Sequence, residues 1–481
     1  MSEEGPHMAD ALQGTGRRAV RAIVCMGAVA FLACGGGGGG GGGQQTCVPP
    51  APTPSQAPLA LVQALGQHPV GTELSFQVPA NAASLTVIEQ VISGPLTVSL
   101  PSGGLAPNAA TPLKISDPDG TVVFDRTVDP VDPTQAGILF RSTAPGTGAV
   151  TLPNSSAGLQ LVASGLPGGT WKLVVSDLAY LCALRPSQCA ANSATSSGVY
   201  DVTVLVKPGS GPGNIPASGT LDLTFNLVAA GLTPPLSAAA APSDPDLQRV
   251  VQTVGALLGR VGISLGTVKY VDVPAAEAAQ IASGVPVDDP TACGALSKLF
   301  LTAPTGRQVN VFLVPSLYSV KEPALLLAGY DGEIPGPATV SPSSQGGVVV
   351  SAMSLRNNQA YCANILDFAS CGADQVAYLV AHEIGHHLGL YHPTEAKGTV
   401  FDPLSDTATC ACQACTANPA QCADASPAPA SPHTMEVTEC TVGGSCGGGD
   451  NLMFWEFDSL HSQGLLTPEQ GEVMRANPAV Y

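Results

Sequence analysis

The sequence predicts an α+β domain, built as a mixed twisted sheet with one histidine-bearing helix, preceded by an all-β sandwich domain. Three observations carry this. In the first half, apolar and polar residues alternate with period two between turn residues. Beyond about residue 219 the pattern changes to strand, amphipathic helix, strand. Four of the chain's 8 histidines then fall within residues 382–392. Composition agrees: only 11% of residues are charged and 44% hydrophobic, and 55 glycines and 43 prolines favour short strands and turns over long surface helices. At 481 residues the chain is too long for one compact core, so two folded units are expected.

A formal net charge of −18 with 18 Lys and Arg spread along the chain excludes nucleic acid as a partner, because phosphate binding needs clustered cations. Arg17, Arg18 and Arg21 precede the apolar run 22–33, which is too short to span a bilayer as a mature helix but suits a signal-peptide core. The run ends Phe31, Leu32, Ala33, Cys34 and resembles a bacterial lipoprotein signal, in which the cysteine is lipidated; an ordinary secretory peptide is the other reading. Residues 1–33 therefore read as signal peptide. Residues 34–58, nine glycines and then a Pro-rich stretch, read as a flexible tether. The expected location is the bacterial cell envelope, as an outer-membrane lipoprotein facing periplasm or exterior, with secretion as the alternative. The membrane would be reached through lipid on Cys34 rather than through a transmembrane helix. Of 14 cysteines, setting aside Cys25 and Cys34 leaves an even number, suited to disulfides in an oxidising compartment. The group Cys410, Cys412, Cys415 and Cys422 also admits a structural zinc site, although it holds a single C-x2-C unit where common zinc modules pair two.

Within 59–206, Leu74, Phe76 and Val78 alternate with polar neighbours, as do Leu96, Val98 and Leu100. Further strands are expected at 121–125 after the turn Asp-Pro-Asp-Gly, at 171–176 and at 198–206. Regular short strands imply a β-sandwich accessory domain, serving as a spacer or folding partner or else binding substrate or glycan. Aromatic residues at 5% offer no stacking platform for carbohydrate. Residues 207–219, rich in Gly, Pro and Ser, read as a linker. In 220–481 a strand at 220–228 is followed by a helix that Ser243 is placed to cap, with Leu247, Val250, Val251, Val254, Leu257 and Leu258 as its packed stripe. Strands follow at 266–273 and 309–314. The run Gly-Gly-Val-Val-Val-Ser-Ala, 346–352, is either a sheet edge able to accept an extended peptide or plain core.

Asp374 is placed to cap a helix over Gln-Val-Ala-Tyr-Leu-Val-Ala-His-Glu-Ile-Gly-His-His-Leu-Gly, 375–389. His382 and His386 stand about 40° apart around it, so both rings project from one face and can reach one ion at roughly 2.1 Å. Glu383 lies beside the first ligand, in the position of a general base that reaches the water without binding the metal. The motif extends to His382-Glu383-x-x-His386-x-x-Gly389-x-x-His392. Gly389 lets the chain turn back in a left-handed conformation and brings His392 as third ligand. The two extra matches cut coincidence about five hundredfold, and three histidines leave a fourth position open, as in catalytic zinc sites. His387, about 140° from His382, cannot share the ion and is a surface or supporting imidazole.

This segment resembles the metzincin clan of zinc endopeptidases, which implies a mixed sheet, an active-site helix, and a methionine turn beneath the metal, for which Met453 in Asn-Leu-Met, 451–453, is the match. The Cys-rich insert, Ser-Asp-Thr at 405–407 and the Asn-Leu-Met form look most similar to the pappalysin-like branch. The resemblance implies one catalytic Zn2+, a protein or peptide substrate, and calcium as a second candidate cofactor. Asp402, Asp406 and Asp450 are its candidate ligands, with solvated loop carboxylates as the plain reading. Where several metzincin groups carry a tyrosine two residues after the turn methionine, this chain has Trp455, so no catalytic role is given to it. The alternative to an enzyme is an inactive surface binding or adhesion lipoprotein with a protease-like domain. Thr467, Pro468 and Gln470 announce a C-terminal helix through cap, first position and capping box.

Overall fold

The computed structural model describes residues 21–24, 61–95, 97–99, 105–128, 141–142, 146–186, 197–209, 215–228, 232–287, 294–320, 326–338, 342–357 and 371–481. Cys34, the tether 34–58, Leu96, Leu100 and all of the leader but 21–24 lie outside them. The chain is a mixed α/β protein with several sheets and few helices. Among the described residues, no helix is long and apolar enough to cross a membrane.

The first region has two four-stranded antiparallel sheets. One runs Thr147–Leu152, Ala82–Ser93, Val199–Pro208, Leu61–Pro69; the other runs Glu73–Val78, Gly169–Val174, Lys114–Ser116, Val122–Asp125. Phe76, Val78, Ile115, Trp171 and Leu173 from one sheet and Leu85, Val87, Val202 and Val204 from the other make a common core. The region departs from the all-β expectation through two short helices. Ser156–Ala163 is capped by the Ser155 side chain accepting from Gly158, and Leu178–Leu184 by Asp177 accepting from Tyr180. The strand Ala82–Ser93 carries no period-two signal because it is buried on both faces: Leu85 and Val87 face the first core, while Ile88 joins the core of the second region.

That second region is ordered around a sheet in the sequence Ile263–Asp272, Gly219–Leu227, Val309–Val314, Val348–Ser351, Leu326–Asp331, Arg21–Val24, Glu456–Asp458. Its first four strands are parallel; Leu326–Asp331 runs antiparallel to Val348–Ser351, so the sheet is mixed as expected. Val348–Ser351 is interior, which corrects the edge reading of 346–352: an uninterrupted run of β-branched residues buried on both faces belongs inside a sheet. Arg21–Val24, assigned to the leader by sequence, pairs parallel to Leu326–Asp331 and antiparallel to Glu456–Asp458. Removal of a leader ending at residue 33 leaves those two strands with unpaired backbone edges.

Pro245–Gly259 and Gly372–His387 pack together against this sheet, with Val250, Val254, Leu257, Val376, Val380 and Ile384 in one core. Two caps differ from the sequence reading. Asp244, not Ser243, caps the first helix, because Ser243 closes a preceding 3-10 turn and Pro245 takes the first helical position. Asp374 does not cap the second: it lies in the first turn, fully buried, where Arg249 Nε and Nη2 grip it at 2.8 and 2.9 Å and Thr253 Oγ1 donates at 2.8 Å. Helix-to-helix pairing has replaced a local cap with a bidentate ion pair.

Of the segment 207–219, residues 207–209 and 215–219 are described. Lys207 and Pro208 end a strand, Gly219 starts one, and Lys207 Nζ is buried against the carbonyl oxygens of Arg475 and Val480 at the end of the C-terminal helix. Burial pushes its pKa down to about 8. Arg141–Ser142 pairs with Glu333–Ile334, and Ser84 Oγ donates to Ala476 O at 2.5 Å, so the two regions share backbone pairing, hydrogen bonds and core.

Candidate metal centre

Gly372–His387 is buried almost throughout, and its last two turns carry the site. His382 and His386 lie on one face with their Nε2 atoms 3.0 Å apart. At Gly389 the chain takes φ +111°, Leu390 N bonds back to Gly385 O at 2.9 Å, and the reversal brings His392 Nε2 to 3.2 Å from His386 Nε2. The three rings are the one group of three or more side chains among the described residues that could hold a metal ion, their ligand atoms all within 4.8 Å, and each is buried. His387 is not part of it: its Nδ1 lies 3.1 Å from Asp331 Oδ1, and burial pushes its pKa down to about 4.

The outer nitrogens decide what the inner ones can do. His382 Nδ1 lies 2.7 Å from Leu452 O and His386 Nδ1 lies 2.7 Å from Leu390 O; a carbonyl only accepts, so both Nδ1 atoms carry hydrogen. In a neutral ring that leaves Nε2 a lone pair, and lone pairs facing each other at 3.0 Å repel unless a cation lies between them. Charging a ring instead is opposed by burial, which holds the His382 pKa well below the usual value, with His392 adding to the effect. Nitrogens at about 2.05 Å around a tetrahedral zinc stand about 3.3 Å apart, close to the spacing here. The donor set therefore fits a divalent ion that accepts imidazole.

Support comes from the turn 451–453. Leu452 O also accepts from Tyr378 Oη at 2.9 Å, and Met453 N bonds Asn451 Oδ1 at 2.8 Å. Asn451 Nδ2 donates to Gln470 Oε1 at 2.9 Å, so the helix Pro468–Ala476, whose capping box forms as the sequence announces, also steadies the ligand's partner. Met453 is fully buried against Gly385, where an added Cβ would stand 2.4 Å from Sδ. Trp455 donates Nε1 to Met435 O at 3.0 Å and packs with the Cys-rich insert.

Glu383 is fully buried, and neither carboxylate oxygen has a hydrogen-bond partner. Burial, then the charge of Asp331, pushes its pKa well above the usual carboxylate range. It presses on Gly329 in Leu326–Asp331, where a Cβ would stand 2.3 Å from Oε1, so only glycine leaves it room. Sequence reading missed Gly329, Asn451, Gln470 and the Glu395 carboxylate beside His392; each acts on the site across the fold or across a turn, where no spacing rule applies.

The calcium candidates Asp402, Asp406 and Asp450 do not form a three-ligand group among the described residues, although Asp406 lies near enough for its charge to raise the Asp402 pKa. Asp402 Oδ1 accepts from Thr407 Oγ1 at 2.5 Å, Asp406 Oδ2 accepts from Glu469 N at 2.9 Å, and Asp450 is exposed. The four cysteines read as either zinc ligands or disulfides are disulfides: Cys410–Cys440, Cys412–Cys422 and Cys415–Cys446. No protein-family model matches the chain, and no curated protein matches it either.

Proposed function

We propose that the chain is an exported zinc-dependent endopeptidase of the metzincin type, lipid-anchored through Cys34. The observation that carries this is the buried Glu383 carboxylate, without a partner, one residue from a ligand of a three-histidine metal-binding group. An oxygen pair in that state is a costly feature for a structural role and a useful one for a base. Bound zinc supplies Lewis acidity toward the scissile carbonyl and makes a water acidic near neutral pH.

The chain's own residues do the rest. His382, His386 and His392 hold the ion, and Glu383 takes the water's proton as its oxygen adds to the carbonyl carbon. The same carboxyl then passes that proton to the amide nitrogen as the C–N bond breaks, leaving a free acid and a free amine. The substrate backbone lies extended beside Leu326–Asp331, in the strand position that Arg21–Val24 holds. On this reading the accessory region is a folding partner, since it shares core and hydrogen bonds with the catalytic region.

The test compares chain 47–481 with its Glu383→Ala variant for bound zinc and for cleavage of denatured casein, with and without chelator. Both should bind about one zinc per chain, and only the wild type should cleave, with the variant lower by at least about 10²-fold. Zinc binding by both without cleavage by either favours the inactive surface-binding lipoprotein. No zinc in the folded wild type rejects the enzyme reading.

A further inference from the structure

The third histidine is held differently from the other two. His382 and His386 donate to neutral carbonyls, whereas His392 Nδ1 faces a carboxylate, Glu395 Oε2, at 3.2 Å, with 2% and 16% of the two side chains exposed. A carboxylate on the far nitrogen fixes the ring's tautomer and angle and makes it a stronger donor toward a metal. His392 is also the ligand that most needs this, since it sits beyond the helix on an irregular segment.

The turn that carries Glu395 is held both by its own hydrogen bonds and from outside. Glu395 N bonds Val400 O at 2.9 Å and Gly398, at φ +63°, closes the turn onto Glu395 O at 2.7 Å. Its outer side is pinned to the Cys-rich insert: Cys410 N donates to Thr394 Oγ1 at 2.9 Å, Cys412 N to Gly398 O at 3.0 Å, and Met435 N to Ala396 O at 2.9 Å. Cys410 and Cys412 are both disulfide-bonded, to Cys440 and Cys422. A Cβ on Gly398 would stand 2.7 Å from Cys412 N, so turn and insert touch backbone to backbone.

We infer that Glu395 is a positioning residue for the third metal ligand, and that the disulfide-bonded insert holds it in place, so that metal affinity is set in part outside the helix that carries the other two ligands. The inference rests on the reading of the three histidines as a metal site and is independent of peptidase activity.

It is tested on the full chain by competing Zn2+ against a chromophoric chelator, with the thermal midpoint of the metal-free protein as the control for folding. Glu395→Gln keeps the shape and removes the charge. It should weaken zinc binding about 10- to 100-fold while leaving the metal-free midpoint within error of wild type. The pair Cys412→Ser with Cys422→Ser should also weaken binding, and adding Glu395→Gln to it should cost little more, because both act through one contact. Glu395→Gln within twofold of wild type overturns the positioning role. Weakening by Glu395→Gln with none from the cysteine pair overturns the part given to the insert; if the cysteine pair does not fold, Glu395→Gln alone decides the first part and Thr394→Val, which removes the Cys410 contact, decides the second. Absence of zinc in wild type sinks the metal reading itself, a result separate from either of these.

Discussion

Asp402 is one carboxylate through which pH reaches the fold. Burial raises its pKa from 3.8 to about 7, outweighing the hydrogen bonds from Thr407 and Leu404, and Asp406 and Glu469 add to the rise. Between those two values the folded chain keeps a proton that the unfolded chain gives up, so stability falls as pH rises through the interval. Asp402→Asn cannot ionise and escapes this loss. Its thermal midpoint should gain on wild type progressively from pH 4 to pH 7 and level off above. A gap that stays constant with pH means the carboxylate is held ionised in the folded state, as a bound cation would hold it. Single residues were legible where the covalent chain sets their relation: His382, Glu383 and His386 follow from one helical turn, and His392 from a glycine. Gly329 and Glu383 are 54 positions apart, and nothing local in the sequence relates them.

At the scale of elements, the Arg249–Asp374 pair joins the helices Pro245–Gly259 and Gly372–His387, and so fixes the helix that carries His382 and His386. Asp374 is fully buried and Arg249 17% exposed, so little water is available to either if the other is lost. Arg249→Met, which keeps the stem and removes the charge, should lower the unfolding free energy by about 3–5 kcal/mol. Changing Asp374→Leu as well should recover most of it, since no uncompensated charge is left. Urea unfolding of the two single variants and the double measures this, and additive losses would show that the pair is not coupled. The sequence showed where these helices lie, because Leu247, Val250, Val254, Leu257 and Leu258 repeat at the helical period and are all buried. It misplaced their first residues, because Asp374 reads as a cap only while Arg249 is not known to face it. In the sheets, short alternating strands such as Glu73–Val78 were legible and Ala82–Ser93 was not, since a strand covered on both sides has no polar face to alternate.

For the whole molecule, the two regions visible in composition share one core. Ile88, Ala149, Leu159 and Leu205 belong to one core with Leu221, Phe225 and Val254. Ala149 N donates to Glu333 Oε1 at 2.6 Å, Ser156 Oγ donates to Glu469 Oε2 at 2.5 Å, and Lys207 ties the last strand of the first region to the C-terminal helix. Each contact leaves a buried or charged group without its partner if the regions separate. Calorimetry of chain 47–481 without metal should therefore show one transition, with calorimetric and van't Hoff enthalpies equal. Chain 215–481 alone should not reach a native state, because it exposes the apolar surface that Ile88, Ala149 and Leu205 cover. Two separate transitions in the longer chain, the second matching that of 215–481, would make the accessory region a module in its own right and leave its role to be sought in binding.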